Sequence, residues 1–203
     1  MDDAALLRAW AAGDRASGRT LFERYYEPVS RFFRNKAAEP GELVQRTFLA
    51  CLEAADRFAG ANFRNFLFGI AINVLRKHYR DVGGRRWVDA EQSSVEAMGL
   101  SPSEAIAGRE EQRLLLAALR RLPHELQLLL ELHYWEQMKV ADLAALLEQP
   151  EGTIKSKMRK GRMLLEQHLG ELASSPAALA STRDGLDRWA AELRAALPLP
   201  PPG

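Results

Sequence analysis

Between Thr153 and Arg162 the chain reads TIKSKMRKGR, which gathers Lys155, Lys157, Arg159, Lys160 and Arg162 into one short stretch. The formal net charge of the whole chain is only +1, so the concentration is local. Lysine and arginine neutralise phosphate, and an arginine guanidinium donates two parallel hydrogen bonds to the major-groove edge of guanine. Read as a helix, Ile154, Met158, Gly161 and Leu165 form one stripe, with Gly161 allowing close approach to the helix before it. Lys155, Arg159 and Arg162 fall on a neighbouring face, and Ser156, Lys157 and Lys160 fill the rest of the outer surface. Such a helix can seat its apolar stripe on a scaffold and lay its cations in a major groove.

A basic helix alone is more often an ordinary solvated surface, so the elements before it decide the matter. KVADLAALL carries Val140, Leu143, Ala144 and Leu147 on one face. A tight EQP connection follows, and Pro150 with Glu151 is suited to the first turn of a helix, where a fixed φ and a negative charge are both favourable. That is helix-turn-helix order. Upstream, LPHELQLLLELHYWEQ predicts a helix opening after Pro123, and SPSE at Ser101–Glu104 reads as a capping box that starts another helix ending near Arg121.

The N-terminal half carries three further stripes at helical spacing. The first contains Phe22, Tyr25, Tyr26, Val29, Phe32 and Phe33, with Pro28 expected to start or kink a helix there. The second is Val44, Phe48, Cys51, Leu52 and Ala55. The third runs through Phe63, Phe66, Leu67, Ile70, Val74 and Leu75 into RKHYRD. Between Asp81 and about Gly108, Gly, Ser, Pro and acidic residues replace any stripe, which reads as a linker. Strict alternation is absent, and Ala, Leu, Arg and Glu dominate. The expected fold class is therefore all-α: two small helical domains joined by a flexible linker, with a C-terminal helical extension. The divisions fall at 1–80, 81–108, 109–170 and 171–203.

Composition narrows the function classes. With 47% hydrophobic residues among 203, each half has enough apolar surface for a core. The longest apolar runs are too short to span a bilayer, and MDDAALLRAW is acidic where a secretion signal is basic, which points to the cytoplasm and to no membrane insertion. A single cysteine, Cys51, allows no internal disulfide and reads as a buried packing thiol, and four scattered histidines give no metal spacing. There is no phosphate loop and no paired acid and base, so neither enzyme chemistry nor a cofactor is expected.

The stretch ALRRLPHELQLLLELHYWEQMKVADLAALLEQPEGTIKSKMRKGRMLLEQHL resembles region 4 of the extracytoplasmic-function sigma factors of bacterial RNA polymerase, with their Leu-Pro before a helix and their Gly-Thr-hydrophobic-basic-Ser recognition helix. WAAGDRASGRTLFERYYEPVSRFFRNK, GELVQRTFLACLEAADRF and NFRNFLFGIAINVLRKHYRD resemble regions 2.1, 2.2 and 2.3 to 2.4 of the same family, in that order. The resemblance extends from about Asp3 to Leu169 and implies a promoter-specificity subunit. A stand-alone helix-turn-helix regulator would leave the first bundle and LVQRTFL without a role. A helical adaptor would leave the cations at 155 to 162 unexplained.

By the resemblance, Thr153, Lys155, Ser156, Lys157, Arg159, Lys160 and Arg162 contact the minus-thirty-five element as double-stranded DNA. Glu42, Leu43, Gln45, Arg46, Phe48 and Leu49 map to the helix that docks on the β′ clamp helices, and region 4 would meet the β flap of core RNA polymerase. Glu42, Gln45, Arg46 and Leu49 share a face at helical spacing while Val44, Phe48 and Leu52 turn toward the core. Opening a promoter requires capture of unpaired bases by extrusion and stacking, with cations along the single strand. The loop Ala59–Asn62 and the helix after it supply those parts. Asn62 or Asn65 would read a base edge beside Phe63 and Arg64, Asn73 would lie farther along the helix, and Arg76, Lys77 and Arg80 would grip phosphates. Most of Phe63, Phe66 and Phe68 are expected in the core.

Four residues at three places depart from the family pattern. Glu148-Gln149 replaces a turn that usually holds Gly, where a left-handed conformation costs about 1 kcal/mol more without it. Lys139 stands where a capping Ser is usual, which leaves the start of that helix open. Gly18 replaces a large apolar residue. Beyond the resemblance, Leu179, Leu186, Trp189, Leu193 and Leu197 fall near one face of an expected docking helix that packs on region 2, region 4 or a partner. Either an anti-sigma factor or this tail, as an intramolecular regulator, is the expected restraint on the two domains.

Overall fold

The computed structural model describes residues 1–59, 62–83 and 110–172, and these form eight α-helices and one short 3-10 turn. The helices are α1 (Asp3–Ala11), α2 (Arg15–Arg34), α3 (Pro40–Glu53), α4 (Phe63–Gly83), α5 (Glu110–Arg120), α6 (His124–Tyr134), α7 (Val140–Leu147) and α8 (Glu151–Leu172). The all-α class follows the periodicity directly. The capping box at Ser101, most of the expected linker and the tail stripe from Leu179 lie outside the described residues.

Local chemistry explains where the first helices begin. Asp2 caps α1 by accepting the Ala5 N–H at 2.7 Å, and Asp14 caps α2 by accepting the Ala16 N–H at 3.0 Å. The Asp14 carboxyl is held below its usual range chiefly by the Ser17 hydroxyl, which donates to it at 2.6 Å. Pro28 neither starts nor ends a helix: α2 begins thirteen residues earlier and continues through it. A cap strong enough to nucleate at Asp14 and a buried face at Val29, Phe32 and Phe33 outweigh the one backbone hydrogen bond that proline removes. The α1 helix is tied across α2 by Asp3, which accepts from Arg24 at 2.6 Å and from the Tyr25 hydroxyl at 2.5 Å.

The core is not divided at the expected linker. One apolar cluster runs from Leu7, Leu21, Phe33, Val44 and Leu75 into Leu128, Leu129, Leu132, Leu143, Ile154 and Met158. A second, smaller cluster joins Leu115 and Leu119 of α5, Leu122 in the turn after it, Leu130 of α6, Trp135 at its C-cap, and Leu165 and Leu169 of α8. The N-terminal helices and α6–α8 are thus packed on each other. Cys51 lies in the first cluster, fully buried, and burial pushes its thiol up to about 12, as expected for a packing residue.

Polar groups cross the same seam. Lys36, fully buried at the end of α2, donates to the Phe32 carbonyl at 2.6 Å and to the Glu131 carboxylate on α6. Gln127 donates to the other Glu131 oxygen at 2.8 Å. Burial pulls the Lys36 ammonium down to about 7, against the opposing pull of the Glu136 carboxylate. Arg31 on α2 pairs with Glu136 at 2.8 Å, and Tyr79 on α4 donates to the Lys36 carbonyl at 3.1 Å. The Tyr79 ring also meets buried His124 edge to face at 5.0 Å.

Candidate nucleic-acid interface

Helix α8 is positioned by its apolar stripe. Ile154, Met158, Gly161, Leu165 and Leu169 are buried, while Thr153, Lys155, Ser156, Arg159, Lys160 and Arg162 are exposed. A β-carbon on Gly161 would stand 3.3 Å from Leu130 of α6, so the glycine admits α6, and not the preceding helix α7 as its sequence position implied. Arg159 and Lys160 have no ion-pair partner among the described residues. Lys155 has only Glu151, at 3.7 Å on the same exposed helix face, a contact of a few tenths of a kcal/mol. This face is therefore a row of cations available to phosphates and base edges.

Lys157 departs from that row. It is half-buried and donates to Glu125 of α6 and, at 3.0 Å, to Gln149 in the turn. Gln149 in turn donates to Glu125 at 3.0 Å. The three side chains clamp the start of α8 to α6, so Lys157 is a fastening of the turn and not an open DNA contact. The turn itself is left-handed at Glu148, with φ 53° and ψ 42°, and the Gln149 N–H closes it on the Ala144 carbonyl at 3.0 Å. Helix α7 begins directly after Lys139, which supplies no side-chain cap.

The N-terminal surface is built on α4. Asn62 is exposed, and its Oδ1 accepts the Asn65 N–H at 3.1 Å, so it acts as the cap of α4. Gly60 and Ala61 of the expected loop lie outside the described residues. Phe63 is buried against Tyr25 and Phe58, with ring centroids 5.1 and 5.9 Å away, which removes it from the set of exposed base-stacking rings. Asn73, Arg76, Lys77 and Arg80 are exposed along one length of the helix. Asn65, Asn73 and Arg76 line a crevice of about 550 Å³, whose other wall is Leu146, Leu147 and Glu148 at the end of α7. Arg64 and Asn65 are already engaged: Arg64 donates to Glu136 at 2.6 Å and Asn65 to Asp142 at 3.0 Å.

On α3, Glu42, Gln45, Arg46 and Leu49 are exposed and form one face, with Arg46 donating to Glu42 at 2.6 Å. Leu43 and Phe48, expected among the docking residues, are buried in the first core cluster and cannot serve as surface anchors. The helical period turns them inward with Val44 and Cys51. The sequence stripe through α2 also overstated burial. Phe22 and Tyr26 are partly exposed at the rim of this surface, where the Phe22 ring packs on Phe48 at 4.8 Å.

Sequence reasoning missed the acids that face these groups. Glu131 and Glu136 are nearly fully buried; Glu131 stands inside a leucine-rich run and Glu136 directly after Trp135, and these apolar neighbours were the only signal. Among the described residues there is no cluster of His, Cys, Asp or Glu suited to a metal, and no helix is long and apolar enough to cross a membrane.

Residues 21–85 match the family described as Sigma-70 region 2, and residues 112–165 match Sigma-70, region 4. The ECF RNA polymerase sigma-E factor of Salmonella typhimurium is 22% identical over 185 residues, covering 85% of this chain and 96% of that protein. Its counterpart in Haemophilus influenzae is 24% identical, covering 85% and 97%. Among solved structures, CnrH in complex with the cytosolic domain of CnrY superposes with a TM-score of 0.62 at 22% identity, covering 84% of this chain and 99% of that one. The sigma factor RpoE in complex with the anti-sigma factor NepR from Bartonella quintana gives 0.57 at 21% identity, covering 75% and 96%, so the fold is shared with both. With both sigma regions matched in order and the sigma-E factors similar along 85% of its length, the chain belongs to the sigma-70 family as an extracytoplasmic-function sigma factor.

Proposed function

We propose that this sigma factor directs core RNA polymerase to promoters by three surfaces that act together. The α3 face of Glu42, Gln45, Arg46 and Leu49 docks on the β′ clamp helices. The α4 face of Asn65, Asn73, Arg76, Lys77 and Arg80 receives the melted minus-ten strand. The α8 face reads the minus-thirty-five element, with region 4 also against the β flap. The observation that carries this reading is the α8 surface, where exposed Lys155, Arg159 and Lys160 stand over a fully buried apolar stripe. That is the geometry of a major-groove helix.

Two weak DNA contacts on one polymerase reinforce each other through effective concentration, so neither surface needs high affinity alone. RNA synthesis itself is the chemistry of the polymerase, and the chain acts as a non-enzymatic specificity subunit in the cytoplasm where that enzyme works. RpoE of Bartonella quintana is solved with an anti-sigma factor, and a partner of that kind is part of this reading. Run-off transcription with core polymerase and genomic promoter fragments tests it. Promoter-dependent product that requires this chain is the expected result, and its absence overturns the reading.

A further inference from the structure

The crevice between α4 and α7 holds polar groups that the chain itself leaves unused. Arg57 of the 3-10 turn, Asn73 and Arg76 of α4, and Glu148 at the end of α7 all line it. All four are exposed, and none has a hydrogen-bond or ion-pair partner among the described residues. Glu148 shares the crevice with two guanidinium groups and pairs with neither, so the space between them is open to another molecule. Half-buried Phe66, Ile70 and Leu147 supply the apolar part of the wall. The volume of about 550 Å³ lies within the range of about 300–1,000 Å³ that small-molecule sites occupy. Asn65 and Arg76 lie about three helical turns apart on α4, which makes the lined length about 16 Å. Glu148 is also a strained occupant of its position. Its left-handed φ of 53° carries a steric cost that glycine would avoid, and strain at the rim of a cavity points to a side chain kept for what it contacts.

We propose that this crevice binds a free nucleotide whose base carries an exocyclic amino group. The guanidinium of Arg57 or Arg76 takes the phosphate through paired charged hydrogen bonds. The flat base covers the apolar wall of Phe66, Ile70 and Leu147, a kind of surface that any base can use. Its amino group donates to the Glu148 carboxylate, and the Asn73 carboxamide offers both a donor and an acceptor to the remaining edge. Uracil and thymine have no amino group and would set carbonyl oxygens against the carboxylate, which gives the site its discrimination. A small zwitterion such as an amino acid would satisfy the charges but leave the apolar wall bare. A bare phosphate would use neither the wall nor Glu148. The ligand touches α4 and α7 together, so by linkage its binding holds the two helices in contact. None of this requires α4 to hold DNA, so the site stands or falls apart from the promoter surfaces.

Isothermal titration calorimetry of the full-length chain with AMP and UMP tests the site. AMP is expected to bind with saturation and about tenfold tighter than UMP, the margin of one hydrogen bond to a charged group. The double substitution Arg57→Ala with Arg76→Ala should weaken AMP about tenfold or more by removing the phosphate contacts. Glu148→Gly, which also relieves the backbone, should erase the preference for AMP over UMP, and Asn73→Trp should block the crevice. All of these positions are exposed, and thermal unfolding checks that each variant remains folded. The absence of binding heat with AMP up to about 10 mM, where even a millimolar site is filled, overturns the proposal. So does AMP binding that inorganic phosphate matches, which is contact of an anion with exposed arginines. Binding that survives Asn73→Trp lies elsewhere and overturns it too. A short oligo(dA) that binds where AMP does not would assign the crevice to the promoter strand, which sinks the free-nucleotide site and leaves the promoter reading intact.

Discussion

The indole of Trp10 occupies the place where a β-carbon on Gly18 would stand: built there, that atom would lie 2.4 Å from both Cδ1 and Nε1 of the ring. The glycine that departs from the family pattern is thus matched to a tryptophan on the facing helix. Gly18→Ala is expected to lower stability by about 1–3 kcal/mol through overpacking, although alanine is the better helix former by about 1 kcal/mol. In a Trp10→Ala background the same substitution should become neutral or stabilising. A double-mutant cycle by urea unfolding reads this change of sign, and additive effects would show that the two residues do not compete for the space.

The helix-turn-helix carries two local defects that single substitutions can repair. Lys139 precedes α7 in an extended conformation with no side-chain cap, and Glu148 ends it in the left-handed region. Lys139→Ser is expected to add about 1 kcal/mol by capping α7. Glu148→Gly should add about 0.5–1 kcal/mol by relieving the steric cost of that conformation. Thermal unfolding measures both, and a lower midpoint for Glu148→Gly would mean that the gain in unfolded-chain entropy dominates.

Arg159 and Lys157 sit on one helix in different company, and their alanine variants should separate. Arg159→Ala is expected to cost about 1–3 kcal/mol of promoter binding and to relax preference at one position of the minus-thirty-five element. Lys157→Ala should loosen the clamp to Glu125 and Gln149, lowering thermal stability with no change in the ranking of promoter variants. Binding titrations on a panel of single-base promoter changes distinguish the two, and a specificity change confined to Lys157→Ala would reverse the assignment.

Buried His124 gives the fold an acid sensitivity. Burial first, then the Lys36 and Arg76 charges, depress its imidazole to about 3. The unfolded chain therefore takes up this proton near its ordinary value of about 6.5 while the folded chain does not. Stability is complete above that value and falls as pH drops from about 6.5 toward 3, by up to about 1.4 kcal/mol per pH unit. His124→Gln should flatten the slope between pH 6.5 and 5, where few carboxylates titrate. An unchanged slope in urea unfolding over that range would place the linkage elsewhere.

The helices and their inward faces were legible because each is written locally, in a period that a short window reveals. Ile154, Met158 and Leu165 needed only their spacing, as did the inward turn of Phe48, which the face shared by Gln45 and Leu49 already implied. The packing of the two halves was not legible. It depends on single polar residues far apart in the chain: Arg31 meets Glu136 across 105 positions, and Arg64 meets it across 72. No periodicity announces such pairs, and a glutamate between Trp135 and Gln137 has no visible partner until the chain has folded. Asn62 was recognised as a polar residue at a helix start, but its capping bond to Asn65 and its suitability for a base edge draw on the same amide. The left-handed turn failed to show because Glu148 is a residue that local preference steers away from it.

The Lys36–Glu131 contact also bears on modularity. One charge is contributed by the segment before residue 83 and the other by the segment after residue 110, and each lies in a core that tolerates it only with its mate. A chimera that joins either half to the corresponding half of a relative would orphan a buried ion unless the grafted half supplies the complementary group at the same place. The two regions are interchangeable parts only as a charge-matched set.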